Sequence, residues 1–313
     1  MSALARREKA FALLRERIVD GGAKDLECLS VHTISSLLLE VPVPVAVPRV
    51  RRAAQAYLTR SFAAVLGQKK FSDHLLWGAQ CPLEKCDRVT PNGMIVPKGD
   101  SALEYNILVL EFVRLVDTLG FGDLIRSWHV PLNVRVKWGE PTPGNLQRAH
   151  PTEFPHSDSW AGESSESVTV HLPLFGDVNR NYVTMFQPPE EFEESWLGPR
   201  GTYKEGAEEV AAKYTPVQYR PWIGGLVLMD FATLHASHRA PGARARISID
   251  TTFVLKKEEE KETIHPWRVG ERASHAALLR LGEKCFMRFP SASVEHVDVL
   301  PFQHPANLTM KDL

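Results

Sequence analysis

The sequence predicts an α+β protein folded as one domain over 1–313, with a mainly helical part at 1–128, an antiparallel β core at 129–256 and a C-terminal extension at 257–313. Three observations predict it. Apolar residues recur at helical spacing up to about residue 125, the pattern then switches to strand-like alternation and β-branched runs until about residue 255, and most of those strands have no helical stretch between them. Parallel strands would need such crossovers, so the core reads as antiparallel.

Taken in order, Leu4–Val19 sets Phe11, Leu13, Leu14 and Ile18 at helical spacing among Arg, Glu and Lys. In Val41-Pro-Val-Pro-Val-Ala-Val-Pro48 the prolines exclude a helix and predict an extended connector. Val50–Leu66 is amphipathic again, and Leu103–Leu119 presents Ile107, Leu108, Leu110, Val113 and Leu115. Leu132–Trp138 then alternates Val134, Val136 and Trp138 against Asn133, Arg135 and Lys137. Val168–Leu174 is rich in β-branched residues, Tyr182–Phe186 and Gly225–Met229 are short apolar runs, and Arg246–Leu255 alternates. Short strands joined by Gly- and Pro-bearing loops point to a sandwich or barrel. Glu190–Lys213, acidic and partly helical, reads as an insertion covering one mouth. After the charge run Lys256–Lys261, a helix near Ala273–Leu281 and a Pro-bearing tail are expected to pack back on the core.

Composition excludes several functions. Lys and Arg total 37 against 38 Asp and Glu, a net charge of −1, so no overall field draws the chain to nucleic acid or anionic lipid. The start mixes acid and base without an apolar run, which predicts a cytoplasmic protein with no membrane segment. Cysteines at 28, 81, 86 and 285 make no disulfide framework. The pair Cys81 and Cys86 lacks a second close pair to complete a zinc site and reads as two reduced thiols. The apolar helix faces serve either packing within the chain or a homodimer contact.

The chemistry sits in a sparse set of residues: His156-Ser157-Asp158, a distal His235, then Arg246-Ile247-Ser248. Residues two apart on extended backbone share a face, so His156 and Asp158 can present an imidazole and a carboxylate to one cation. Two imidazoles and a carboxylate leave half of an octahedron open, the ligand set of non-heme Fe(II) oxygenases. His-x-Asp alone is weak, since His296-Val-Asp298 matches it too. Context separates them: His156 precedes a strand and is followed about eighty residues later by a second strand leading into His235, whereas only His304 follows His296. His238 is the alternative third ligand, placed by sequence in a Ser-His-Arg-Ala-Pro-Gly turn; His235 is favoured. A guanidinium pointing into a barrel needs a carboxylate, and its planar fork binds one bidentately. Ser248 shares that face, and Asp250 is the internal partner that would leave Arg246 without a ligand role.

This order of motifs resembles the Fe(II)/2-oxoglutarate-dependent dioxygenases over about residues 130–255, and most of all the bacterial biosynthetic-cluster members. Ser165-Glu166 precedes a strand ending Leu172-Pro173-Leu174, Asn179 and Asn181 stand beside Tyr182, and the end reads Arg246-Ile-Ser-Ile-Asp-Thr. After Arg239 an Ala-Pro-Gly turn stands where those relatives have an Asn-Thr-Thr-like one. The resemblance implies a double-stranded β-helix (jelly-roll, cupin-like) core. It implies Fe(II) held by His156, Asp158 and His235, 2-oxoglutarate as cosubstrate with its far carboxylate on Arg246 and Ser248, and O2. It further implies release of succinate and CO2, with no catalytic group beyond the metal ligands. Asp158 leaves no position for chloride, so hydroxylation, desaturation or cyclisation is expected in place of halogenation. Asn133, Arg135, Lys137, Trp160, Asn181 and Tyr182 are the candidate contacts to a small polar metabolite, with Arg148 and His150 at the mouth. A protein or peptide side-chain hydroxylase, or a non-enzymatic cupin-like metal binder, is the alternative function.

Overall fold

The computed structural model describes residues 1–22, 31–44, 46–77, 82–129, 132–204 and 207–256, together with 272, 273, 275 and 278. The chain runs α1 (Ala3–Gly22), β1 (His32–Ser35), β2 (Leu38–Pro42), α2 (Val47–Ser61), α3 (Ala63–Leu66), α4 (Ala102–Thr118), β3 (Ile125–His129) and β4 (Asn133–Lys137). It continues through α5 (Pro143–Leu146), β5 (Ser167–Gly176), β6 (Asn181–Gln187), α6 (Ala207–Ala211), β7 (Thr215–Pro216), β8 (Gly225–Asp230), β9 (Leu234–Arg239), β10 (Arg246–Leu255) and β11 (Arg272–Ala273). No helix among the described residues is long and apolar enough to cross a membrane.

The helices bury their apolar stripes inside the chain. α1 buries Phe11, Leu14 and Ile18 but turns Leu13 to solvent at 54% exposure, because a fourth apolar position falls outside the stripe. α2 packs on α4, where Tyr57 and Tyr105 meet edge to face with ring centroids 5.3 Å apart. Their hydroxyls donate to the carbonyls of Ile95 and Leu132, both at 2.8 Å, which ties the helical layer to β4, since Leu132 enters that strand and the Ile95 N–H bonds its Val134 carbonyl. The prolines that read as an extended connector divide between two elements. Pro42 ends β2, which pairs with β8, and Pro48 stands in the first turn of α2, where a missing N–H is no loss.

All strand pairings among the described residues are antiparallel. The larger sheet has the order β1-β2-β8-β5-β10-β3-β11, with β4 also on β10, and the smaller one has β7-β6-β9. β10 is the hub. One edge pairs with β5 from Arg246 to Val254, while the other takes β4 at residues 246–250 and β3 at 253–255. An isolated bridge between His156 and His235 extends the smaller sheet. Side chains of β4, β5, β8 and β10 face those of β6 and β9 across one cavity. β3 and β9 are strands that the sequence pattern does not mark, and β9 carries His238 in extended backbone where the Ser-His-Arg-Ala-Pro-Gly run suggests a turn. Of the expected helix at 273–281, Ala273 lies instead in β11 with Arg272, paired with β3, His275 and Leu278 are helical, and the remainder lies outside the described residues, as do Cys28, Cys81, Cys285 and the tail. His275 returns to the core, accepting from the Trp128 indole at 3.1 Å and meeting Asp117 Oδ1 at 2.6 Å. Cys86 is a free thiol.

Gly176 closes β5 beside the start of β10 with φ of +85°, and a Cβ there would lie 2.2 Å from the Ala245 carbonyl oxygen and 2.9 Å from Arg246 Cα. A side chain is therefore excluded by both conformation and contact. Gly176→Ala is expected to destabilise by about 2 kcal/mol or more in urea unfolding, through strain and the displacement of β10.

Candidate active site

Ser157 has extended backbone, so His156 and Asp158 share a face although Asp158 begins a short 3-10 turn, Asp158–Ala161, ended by Gly162 at φ +98°. His156 and His235 exchange backbone hydrogen bonds of 3.0 and 2.9 Å, which brings their rings to 4.3 Å between centroids. Asp158 lies between them, with Oδ1 3.7 Å from His156 Nε2 and Oδ2 3.8 Å from His235 Nε2. One ligand atom from each residue falls within 4.8 Å of the other two. His156 Nδ1 bonds the Phe154 carbonyl at 2.7 Å, which orients the ring and leaves Nε2 buried with no partner. Burial holds His156 well below the usual imidazole range and His235 down to about 4, so both are neutral, the state that ligates a metal. Burial, and secondarily Glu163, pushes Asp158 up to about 7. An orphaned imidazole nitrogen converging with a second imidazole and a carboxylate fits a divalent transition metal. His238 is not part of this cluster: it lies against the Tyr182 ring, 4.7 Å away, on the outer side of β9.

The cavity these residues line has a volume of about 90 Å³ and runs along β10. Its closed end is basic. Arg246 is 2% exposed and Lys137, its neighbour in register on β4, is 4% exposed. Arg246 donates to Ser248 Oγ at 2.7 Å, its Nε is buried without a partner, and burial lowers it to about 10. Asp250 does not pair with it; Asp250 Oδ2 instead meets Arg135 Nε, on the neighbouring β4, at 2.6 Å. Lys137 donates to Thr152 Oγ1 at 2.5 Å, and burial followed by Arg135 drives its amine well below the usual lysine range. His171, on β5 opposite Asp250, stands 3.4 Å from Arg246 Nη1 with its Nδ1 unpartnered. The more open end is acidic. Glu163 lies 3.5 Å from His129 and accepts from Thr252 at 2.7 Å.

Three of the six expected substrate contacts, Asn133, Arg135 and Lys137, line the cavity, and Trp160, Asn181 and Tyr182 do not. Trp160 is buried under the segment at 190–204, donating its indole N–H to the Trp196 carbonyl at 2.7 Å. The Asn181 amide lies 2.9 to 3.0 Å from the carbonyls of Lys137, Trp138 and Arg244, bridging the end of β4 to the approach to β10. Tyr182 points out of the smaller sheet because strand alternation turns Asn181 and Val183 inward. Arg148 and His150 are likewise absent from the lining; His150 bonds the Arg200 carbonyl at 3.0 Å. Residues that sequence reasoning missed include Thr169 and His171. Their signal was two polar residues at alternate positions of an otherwise apolar strand.

No protein-family model and no curated protein matches this chain. Among solved structures it is similar to the non-heme α-ketoglutarate-dependent epimerase SnoN from nogalamycin biosynthesis, at 15% identity over 79% of this chain and 83% of that one, with a TM-score of 0.37. It is also similar to an N-substituted L-amino acid dioxygenase from Burkholderia ambifaria AMMD, at 16% identity over 80% and 89% of the two chains, TM-score 0.39. A third likeness is to EctD from S. alaskensis, solved with 2-oxoglutarate and 5-hydroxyectoine, at 17% identity over 76% and 81%, TM-score 0.36. These scores are low, and the functional reading rests on the residues of the cavity.

Calorimetric titration of the metal-free protein with Mn(II) is expected to show one site that His156→Ala or His235→Ala weakens by at least about a hundredfold, while His238→Ala leaves it unchanged.

Proposed function

We propose that this chain is an Fe(II)- and 2-oxoglutarate-dependent oxygenase that oxidises a small polar metabolite, built on a double-stranded β-helix (jelly-roll) core. The observation that carries the reading is Arg246, a buried guanidinium with no carboxylate within ion-pair distance among the described residues, in the same cavity as the His156, Asp158 and His235 ligand atoms. A buried cation without a counter-charge is unfavourable by several kcal/mol, and a bound carboxylate offsets that penalty. The cavity therefore suits a ligand with a carboxylate at one end and a metal-chelating group at the other.

In this reading His156, Asp158 and His235 would hold the iron, and Arg246 with Ser248 would receive the far carboxylate of 2-oxoglutarate, beside Lys137 and Thr152. Iron so held would supply activation of dioxygen coupled to oxidative decarboxylation of the cosubstrate to succinate and CO2. The chain's own work is positioning and exclusion of water. Tyr203 stacks on the His156 ring at 4.2 Å, and its backbone N–H bonds the Ala149 carbonyl at 3.0 Å, which lays the segment at 190–204 over the metal motif. That cover favours a small molecule over a protein substrate, which would want an open groove. A metal binder without a cosubstrate would have no use for an uncompensated Arg246. Asn133 and Arg135 remain as substrate contacts, whereas Lys137, in register with Arg246, belongs with the cosubstrate end.

Anaerobic titration with Fe(II) and then 2-oxoglutarate is expected to produce the weak visible charge-transfer band of the chelate. Arg246→Ala should weaken the cosubstrate by about two orders of magnitude while leaving metal affinity intact. Metal binding with no band in the wild type would overturn the proposal.

A further inference from the structure

We propose that Arg7, on the N-terminal helix and far in sequence from the cavity, is a positioning residue for the metal motif; the inference rests on the metal-site reading above. Arg7 opens the stripe that α1 continues with Phe11, Leu14 and Ile18, so the packing of the helix aims its guanidinium into the protein, where it is 9% exposed. There it reaches three separate segments. Nε and Nη2 donate to the Glu194 carboxylate at 3.0 and 2.8 Å, Nη1 to Asp230 Oδ1 at 2.9 Å, and Nη2 also to the Ser165 carbonyl at 2.9 Å.

Each contact leads to the metal motif by a short path. Asp230 ends β8, and its Oδ1 also caps the Ala232 N–H at 2.7 Å, which shapes the turn between β8 and β9. In that turn the Phe231 carbonyl accepts from Ser157 Oγ at 2.9 Å, and Ser157 is the residue between His156 and Asp158. The same turn delivers His235 on β9. Glu194 belongs to the covering segment, where the Trp196 carbonyl holds the Trp160 indole and Tyr203 lies on His156. Ser165 lies on the loop leading from the motif into β5. One guanidinium thus anchors the turn behind the motif, the cover in front of it and the loop that leaves it. A planar fork with five donors makes all four of these hydrogen bonds, one more than the three donors of an ammonium allow.

The test combines hydrogen exchange of the metal-free full chain with the rate at which an excess chelator removes Fe(II) from the loaded protein. Arg7→Met should raise exchange in both 154–160 and 192–203 and speed iron loss about tenfold. Glu194→Gln, which releases only the cover, should raise exchange in 192–203 alone. Leu14→Ala is the control: it loosens α1 without touching the anchor, and should lower the unfolding midpoint while leaving both readouts as in wild type. Should Arg7→Met fail to fold, Arg7→Lys keeps the charge beside Asp230 and should give the same pattern in weaker form. Unchanged exchange in 154–160, or equal effects from Leu14→Ala, would overturn the inference and leave Arg7 a stability residue. A wild type that binds no iron would instead remove the metal-site reading, with the exchange data still deciding whether Arg7 orders the motif.

Discussion

β10 is hydrogen-bonded along both edges, and the burial that follows is what every charged group in the cavity must answer to. With β5 on one side and β4 then β3 on the other, the strand has no freedom to slip. A one-residue shift would put Ile247 and Ile249 on the cavity face in place of Arg246, Ser248 and Asp250. The pairing also places Arg246, Ser248 and Asp250 directly across from Lys137, Arg135 and Asn133. A concentrated set of charges is thereby held away from water by backbone hydrogen bonds that do not depend on those charges.

The electrostatics are unequal along the cavity. Arg135 and Asp250 compensate each other at 2.6 Å, and Glu163 is met by His129 and Thr252, whereas Arg246 and Lys137 hydrogen-bond only neutral groups and feel Asp250 and Glu153 from beyond ion-pair distance. Burial already moves both cations below their usual ranges, so the closed end is under electrostatic tension that an anion relieves. At the other side of the same cavity, His156, His235 and Asp158 converge with an imidazole nitrogen left unpartnered. A preformed set of unsatisfied groups is unfavourable for folding and favourable for binding, which is the usual balance at a functional site.

Support for the His156–Asp158 motif comes from outside the β core. Its backbone is bridged to β9, its central serine bonds the turn after β8, its tryptophan is capped by the covering segment, and that segment and turn meet at a guanidinium from the first helix. The helical part does more than add core: α2 and α4 brace the entry to β4 through two tyrosine hydroxyls, and α1 reaches the back of the site.

Much of the architecture was legible in the residue pattern, because periodicity depends only on which faces of an element are buried. The helical part, the main strands and the shared face of His156 and Asp158 are of that kind, being set by spacing along extended backbone or along a stripe, whereas His235 reaches them through the backbone bridge between two segments remote in the chain. What the pattern could not carry was partner choice. Asp250 sits two residues from Ser248 on one face, yet its partner is Arg135, since the neighbouring strand brings a cation closer than its own strand does. Trp160, Asn181 and Tyr182 stand near the motif in sequence but were turned into a cover, a bridge and an outer face by loops and by β6's direction. The value of Arg7 was invisible for the same reason: among apolar helix positions an arginine reads as solvent-facing. The sequence by itself determined the elements and the ligand types, through local periodicity and chemistry. Only the tertiary structure decided which charges are compensated and which are left for a ligand, because compensation depends on distances between strands and loops that are remote in the chain.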